Sequence, residues 1–126
     1  MDKFTDEDGR MILINIQIEN IVFSMVSIYA LNCRTLRNVF FKNVSRFLKE
    51  HGTGIPIVGG DFNEILMPID RKSKCKNGTF IQPVASIKTF IKTNNLTDIW
   101  RKFNQDKQQF TWRRKDKPVV LICHLL

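Results

Sequence analysis

The sequence predicts an α/β fold, in which a mostly antiparallel sheet and its flanking helices form a layered α/β sandwich. Apolar residues alternate with period two in the first quarter of the chain, then follow a helical period, and then return to a short apolar run that ends in glycines. Strand and helix signals in this alternating order are typical of layered α/β proteins. The 126 residues, 43% of them hydrophobic, suffice for the core of a single domain over residues 1–126.

The first two strands are predicted from alternation. Met11 to Ile18 places four isoleucines on one face and Asn15 and Gln17 on the other, and Glu19-Asn20 follows as a tight turn. Ile21 to Ala30 carries apolar residues on both faces, which predicts a strand buried on both sides. Together the two segments predict an antiparallel hairpin.

A helix is predicted next, from Arg34 to Glu50, because its apolar residues fall on one helical stripe. The apolar run from Ile55 to Val58 then predicts a buried strand that enters a turn at Gly59-Gly60-Asp61. Pro83 stands at the first turn of a second predicted helix, which ends near Asn94-Asn95.

The rest of the chain carries weaker signals. Leu96 to Phe103 has the apolar spacing of a short helix, Phe110 to Trp112 is strand-like, and Val119 to Leu126 is another apolar run. The predicted order is therefore β-β-α-β-α-β-β, with a short helix before the last two strands.

Charge and composition exclude several classes of protein. The formal net charge is +8, and basic clusters at 71–76 and 113–117 would attract polyanions, although solvated loops show the same pattern. The most apolar stretch, Met11 to Leu31, is interrupted by polar residues, so no transmembrane helix is expected. The acidic N-terminus lacks a secretory signal, and three unclustered cysteines indicate reduced thiols in an intracellular protein.

The most informative segment for function is Gly59-Gly60-Asp61-Phe62-Asn63. Glycines after a strand permit a sharp turn and the close approach of a ligand, and α/β proteins place their sites at such strand ends. A carboxylate beside a carboxamide suits phosphoester hydrolysis, because Asp61 can orient or deprotonate water while Asn63 binds the phosphate or holds Asp61. The alternative is a purely structural β-turn.

Several motifs in this order resemble the endonuclease domain of non-LTR retrotransposon polyproteins, within the endonuclease/exonuclease/phosphatase superfamily. They are Asp8-Gly9-Arg10, Ser27 to Asn32 with its Tyr-x-x-Asn, Gly59 to Asn63, Asp70-Arg71, Leu96 to Arg101 and Phe110-Thr111-Trp112. The resemblance covers almost the whole chain and implies a truncated copy of the family's domain.

The resemblance implies a role for individual residues. Asp61 matches the catalytic Asp, Asn63 the Asn that contacts the scissile phosphate, and Tyr29 the Tyr whose hydroxyl supports the developing charge. Nucleic-acid contacts are implied for Asn32, Arg71, Thr111, Arg113 and Arg114. Without that context, Tyr29 would be interpreted as a core aromatic residue and Asp70-Arg71 as a surface ion pair.

The departures from the family pattern concern the metal and the phosphate. The family's metal-binding Glu has no match here, Cys123 stands where the family has an Asp, and the final Ser-Asp-His lies beyond residue 126. The resemblance implies Mg²⁺, but weak or absent binding is expected, since Mg²⁺ depends on one or two carboxylates plus substrate phosphates. We therefore expect little or no turnover and identify no metal ligand.

Three functions are compatible with these observations. The first is a partial retrotransposon endonuclease, whose complete form nicks DNA in the nucleus within a larger polyprotein. The second is a non-catalytic basic remnant that binds nucleic-acid phosphates. The third is a superfamily branch acting on phosphoinositides or sphingomyelin, which Asp70-Arg71 and Phe110-Thr111-Trp112 disfavour. No membrane partner is expected.

Overall fold

The computed structural model describes residues 1–63 and 85–107, together with backbone segments at 112–114, 117–119 and 124–125. Its elements confirm the predicted α/β class. In chain order they are β1 (Asp2–Thr5), β2 (Met11–Ile18), β3 (Ile21–Tyr29), α1 (Arg34–His51), β4 (Ile55–Asp61), α2 (Ala85–Thr93), α3 (Ile99–Phe103), β5 (Trp112–Arg114), β6 (Lys117–Val119) and β7 (His124–Leu125).

The described strands form a sheet in the order β1-β2-β3-β4-β7. All neighbouring pairs are antiparallel except β3 and β4, which run parallel, so the predicted mostly antiparallel sheet is confirmed. Helix α1 makes the crossover that a parallel pair requires. Strands β5 and β6 pair separately as an antiparallel hairpin.

One face of the sheet, called the inner face, is covered by α1 and α2. The core there combines apolar side chains from β2, β3 and β4 with those of the two helices and their flanking loops. Its members are Met11, Leu13, Val26, Ile28, Ala30, Phe40, Phe41, Val44, Leu48, Val58, Phe62, Ile87, Phe90 and Leu96. This packing orients the sheet and leaves the opposite, outer face to carry the alternate residues.

The prediction that β3 is buried on both sides is wrong. Met25 and Tyr29 lie on the outer face, where they are 43% and 51% exposed. The four isoleucines of β2 share that face, because Ile14 pairs with Met25 in the ladder. Strand β3 has apolar residues on both faces, but the two helices α1 and α2 of the described chain cover the inner face alone.

A buried polar cluster joins the inner face to the end of α1. Asn15 donates from Nδ2 to the His51 carbonyl at 2.8 Å and accepts from the Ser24 hydroxyl at 2.7 Å. The Ser24 oxygen in turn accepts the N–H groups of Thr53 and Gly54, each at 2.9 Å. These bonds give hydrogen-bond partners to backbone groups that would otherwise lack them where the chain leaves α1 and enters β4.

The glycines of the central motif lie in a strand and not in a turn, contrary to prediction. Strand β4 continues through Gly59 and Gly60 to Asp61, so the turn follows Asp61. Gly60 has a φ of +127°, and a Cβ there would overlap the Ile28 carbonyl oxygen of the neighbouring strand. The glycine thus permits close approach of β3 and β4 just before the strand ends.

Other boundaries agree with prediction or extend it. The first predicted helix is confirmed as α1, and α2 is followed by Asn95 in the left-handed region at φ 52°. The acidic N-terminus, for which no element was predicted, forms edge strand β1. Pro83 and the segment 110–111 lie outside the described residues.

Asp98 caps α3 and gives the fold a pH-dependent contribution. Its carboxylate accepts the Arg101 N–H at 2.9 Å. Burial raises the pKa of Asp98 above its usual value, while hydrogen bonds from the Arg101 and Trp100 N–H groups oppose the shift. Since the folded-state pKa lies above the unfolded one, the folded state binds more protons. This contribution to stability is fully present below the unfolded pKa and is lost as pH rises through the folded-state pKa.

We therefore expect Asp98→Asn, which keeps a capping oxygen, to match or exceed the parent's free energy of unfolding at neutral pH. The advantage should shrink in acid, where the carboxyl of the parent is protonated. Urea unfolding of both proteins at neutral and acidic pH measures this. A difference that grows towards acid would contradict the assigned direction.

Candidate active site

Tyr29 and Asp61 are brought together by the parallel pairing of β3 with β4. They are partners at the last position of the ladder, and the Ala30 N–H donates to the Asp61 carbonyl at 2.7 Å. Because the pairing places both residues on the outer face, the phenol and the carboxylate emerge from neighbouring strand ends. This is the strand-end location that the sequence predicts for a site.

Asn63 is tied to both strands. Its backbone N–H donates to Asp61 Oδ1 at 2.9 Å, and its side-chain Nδ2 donates to the Ala30 carbonyl at 2.7 Å. Its φ of 47° lies in the left-handed region, which asparagine adopts more readily than most residues. The turn therefore fixes the Asp61 carboxylate and the Asn63 carboxamide relative to each other.

Phe62 anchors this turn in the core. Its side chain is fully buried and stacks on Phe41 of α1 with 6.2 Å between ring centroids. Asp61 and Asn63 on either side remain partly accessible. Phe62 is thus anchored in the core, while the polar side chains on either side of it in the sequence stay accessible.

Two arginines for which no role was predicted, Arg10 and Arg37, adjoin the site. The Arg37 guanidinium, in the first turn of α1, donates to the Asn63 carbonyl. Arg10 donates from its guanidinium to the Tyr29 carbonyl at 3.2 Å, and its Cζ lies 5.0 Å from the Tyr29 ring centroid. The available signals were the position of Arg10 in Asp8-Gly9-Arg10 and that of Arg37 just after the Tyr-x-x-Asn.

The structure describes three of the five residues predicted to contact nucleic acid. Asn32 is exposed in the loop between β3 and α1. Arg113 and Arg114 occupy β5, where they pair with Pro118 and Lys117 of β6. Arg71 and Thr111 lie outside the described residues, as do Cys75 and Cys123.

Cys33, beside Asn32, is a free exposed thiol at the N-terminus of α1. Backbone N–H groups of Leu36 and Thr35 stabilise its thiolate and lower the pKa of Cys33, with a smaller contribution from Arg37.

A metal site among the described residues would require side chains that can together hold the ion. No cluster of three or more His, Cys, Asp or Glu side chains able to hold a metal occurs among them. Asp61 Oδ1 already accepts the Asn63 N–H, so this carboxylate offers its second oxygen to a ligand. This donor set does not by itself fit a resident Mg²⁺, and the expectation of weak or absent binding stays a prediction.

No helix within the described ranges is long and apolar enough to cross a membrane.

No protein-family model matches this chain. Among solved structures, an AP endonuclease from Archaeoglobus fulgidus is similar with a TM-score of 0.66 at 13% identity, covering 98% of this chain and 57% of that one. A β-hairpin deletion mutant of beta toxin from Staphylococcus aureus is similar with a TM-score of 0.50 at 12% identity, covering 92% of this chain and 43% of that one.

These similarities establish a fold of the endonuclease/exonuclease/phosphatase type, as predicted from the sequence. The chain spans 57% of the length of the archaeal enzyme. The fold is therefore shared with these proteins, and the likeness carries no activity or substrate over to this chain.

Proposed function

We propose that this chain is an endonuclease-like domain that binds DNA phosphates and acts on phosphodiester bonds through Tyr29, Asp61 and Asn63. One observation carries the proposal: the last paired position of β3 and β4 juxtaposes Tyr29 with Asp61, and the Asp61 carboxylate accepts the Asn63 backbone N–H at 2.9 Å. A phenol, a carboxylate and a carboxamide at one strand end are the groups that phosphoester hydrolysis uses.

The roles follow from the free atoms of each side chain. The second carboxylate oxygen of Asp61 orients a water and takes its proton as the water oxygen attacks phosphorus. The P–O ester bond opposite the attacking oxygen then breaks, and the leaving alkoxide takes a proton from solvent. The exposed Tyr29 hydroxyl donates to an oxygen of the phosphorane and supports its developing charge. Asn63 Nδ2 donates one N–H to the Ala30 carbonyl, so its second N–H and the side-chain oxygen can contact the phosphate.

The chain is proposed to derive from a non-LTR retrotransposon polyprotein, where it would act on DNA in the nucleus. The ordered motifs support this origin, and the missing metal-binding Glu and the Cys123 replacement support low turnover by these 126 residues. Losing several members of a cooperating catalytic group removes most of the activity.

A non-catalytic nucleic-acid-binding remnant is the second candidate. The β5–β6 hairpin favours it, because its register pairs two basic positions of the cluster at 113–117, Arg114 and Lys117. Phosphate neutralisation by such a cluster needs no catalytic site.

A supercoiled-plasmid nicking assay with Mg²⁺ separates the two candidates. The parent should show at most slow nicking, which Asp61→Asn abolishes because the amide cannot accept the proton from water. Asp106→Asn, the same change at an exposed aspartate of the loop after α3, should leave it intact. Nicking that survives Asp61→Asn would contradict the assignment, and salt-sensitive binding without any nicking would favour the remnant.

A further inference from the structure

Arg10 lies one residue before the first pair of the β2–β3 ladder and is hydrogen-bonded through its backbone to Tyr29. The antiparallel ladder of β2 and β3 pairs Met11 with Ile28, and the Tyr29 N–H donates to the Arg10 carbonyl at 2.9 Å. Tyr29 in turn pairs with Asp61 across the parallel ladder. At this edge of the sheet, a cation, a phenol and a carboxylate therefore lie side by side on three adjacent chain segments.

The backbone holding Arg10 is fixed by a turn. Asp6 Oδ1 accepts the N–H groups of Arg10 at 2.8 Å and of Met11 at 2.7 Å, and Gly9 between them takes a φ of 66°. This Asp6 oxygen is occupied by main-chain donors. The turn therefore directs the Arg10 side chain across the end of β3.

The Arg10 guanidinium retains unused donor capacity. A guanidinium carries five N–H groups. Within the described part of the chain, Arg10 gives one side-chain hydrogen bond, to the Tyr29 carbonyl at 3.2 Å, and its Cζ stacks 5.0 Å from the Tyr29 ring centroid. A planar donor fork held against an exposed phenol is pre-organised to receive an anion.

We propose that Arg10 is a phosphate-binding residue of the candidate site, and this inference rests on the proposed function. A phosphodiester lying over Tyr29 would face the Asp61 carboxylate on one side, which repels it, and the Arg10 guanidinium on the other, which offsets that repulsion. Neighbouring strands lie about 4.8 Å apart, so the row spans about 10 Å, enough for one phosphate group with its ester oxygens. Arg10 thereby orients the phosphorus towards the water held by Asp61.

A purely structural role for Arg10 predicts different behaviour. If the guanidinium only packs on Tyr29, its removal should lower stability and leave DNA affinity unchanged. Its sequence neighbours Asp6, Glu7 and Asp8 are acidic, so a general basic surface does not explain a cation at this point. DNA binding and the environment of the tyrosine ring therefore separate the two roles.

The test measures binding of a short DNA duplex at several salt concentrations to the parent, Arg10→Gln and Arg10→Lys. Arg46→Gln, which removes the same charge from an exposed position of α1, is the matched control. We expect Arg10→Gln to weaken binding about tenfold and to reduce the slope of log affinity against log salt by about one phosphate contact. Arg10→Lys should restore the slope but only part of the affinity, because it keeps the charge without the planar fork.

Tyr29 is the only tyrosine of the chain, so ring-labelled tyrosine gives one set of nuclear magnetic resonance signals. DNA should shift these signals in the parent and in Arg46→Gln, and should shift them little in Arg10→Gln. Equal losses of affinity in Arg10→Gln and Arg46→Gln, or an unchanged DNA-induced shift in Arg10→Gln, would overturn the proposal. Failure of nicking with these shifts intact would instead count against the proposed hydrolysis alone.

Discussion

Replacing Gly60 with alanine is expected to destabilise the protein by about 3 kcal/mol. Gly60 has a φ of +127°, a region open essentially to glycine, and it pairs with Ile28 in the parallel ladder. A Cβ would overlap the Ile28 carbonyl oxygen and lie 2.8 Å from the Ile28 nitrogen, so the two strands must separate. Separation at this position disrupts the adjacent pair of Tyr29 and Asp61. Urea unfolding gives the free energy directly.

Gly9 provides the matched control for that substitution. It also has a positive φ, 66°, but a Cβ there would meet no atom within 4 Å. Gly9→Ala should therefore cost only the left-handed backbone strain, about 1 kcal/mol. Similar losses of unfolding free energy for Gly60→Ala and Gly9→Ala would show that the close approach of β3 and β4 is not what requires glycine at position 60.

Phe62→Ala is expected to cost about 3–5 kcal/mol of unfolding free energy, because it empties a fully buried position. It should also loosen the turn between Asp61 and Asn63, since the stacking of Phe62 on Phe41 holds the turn to α1 together with the Arg37 hydrogen bond to the Asn63 carbonyl. Thermal unfolding measures the first effect. Amide hydrogen exchange at Asn63, whose N–H is bonded to Asp61, measures the second.

Phe62→Leu separates loss of volume from loss of an aromatic ring. A similar apolar volume at the same position should cost less than about 1.5 kcal/mol and preserve slow exchange at Asn63. If the leucine variant loses as much stability as the alanine variant, the ring contact with Phe41 has been undervalued and simple filling of the core is not the anchor.

Local patterns predicted much of the fold. Period-two alternation and the helical stripe predicted β2, β3 and α1 to within one residue at each boundary, because these patterns reflect the local backbone geometry of strands and helices. Burial was less predictable. The isoleucines of β2 face outward while Asn15 lies inside, where it hydrogen-bonds to the His51 carbonyl and the Ser24 hydroxyl at the end of α1.

The candidate site was predictable in composition but not in detail. The strand-end motif pointed to Asp61 and Asn63, yet the glycines before them serve strand pairing and not the turn. Arg10 is far from Asp61 in sequence, and its place beside Tyr29 follows from the register of two ladders. No short-range pattern encodes such a register, and therefore this residue was identified as part of the site only from the three-dimensional arrangement.

The most direct test of the central claim titrates the chain with a thymidine dinucleotide and follows the backbone amide signals of Tyr29, Asp61 and Asn63. If these residues form one phosphodiester site, the three signals should shift together with one dissociation constant. The same dinucleotide with a neutral methylphosphonate linkage should shift them little, because it lacks the phosphate charge. Shifts confined to Arg113 and Arg114, with the three site amides unmoved, would contradict the account.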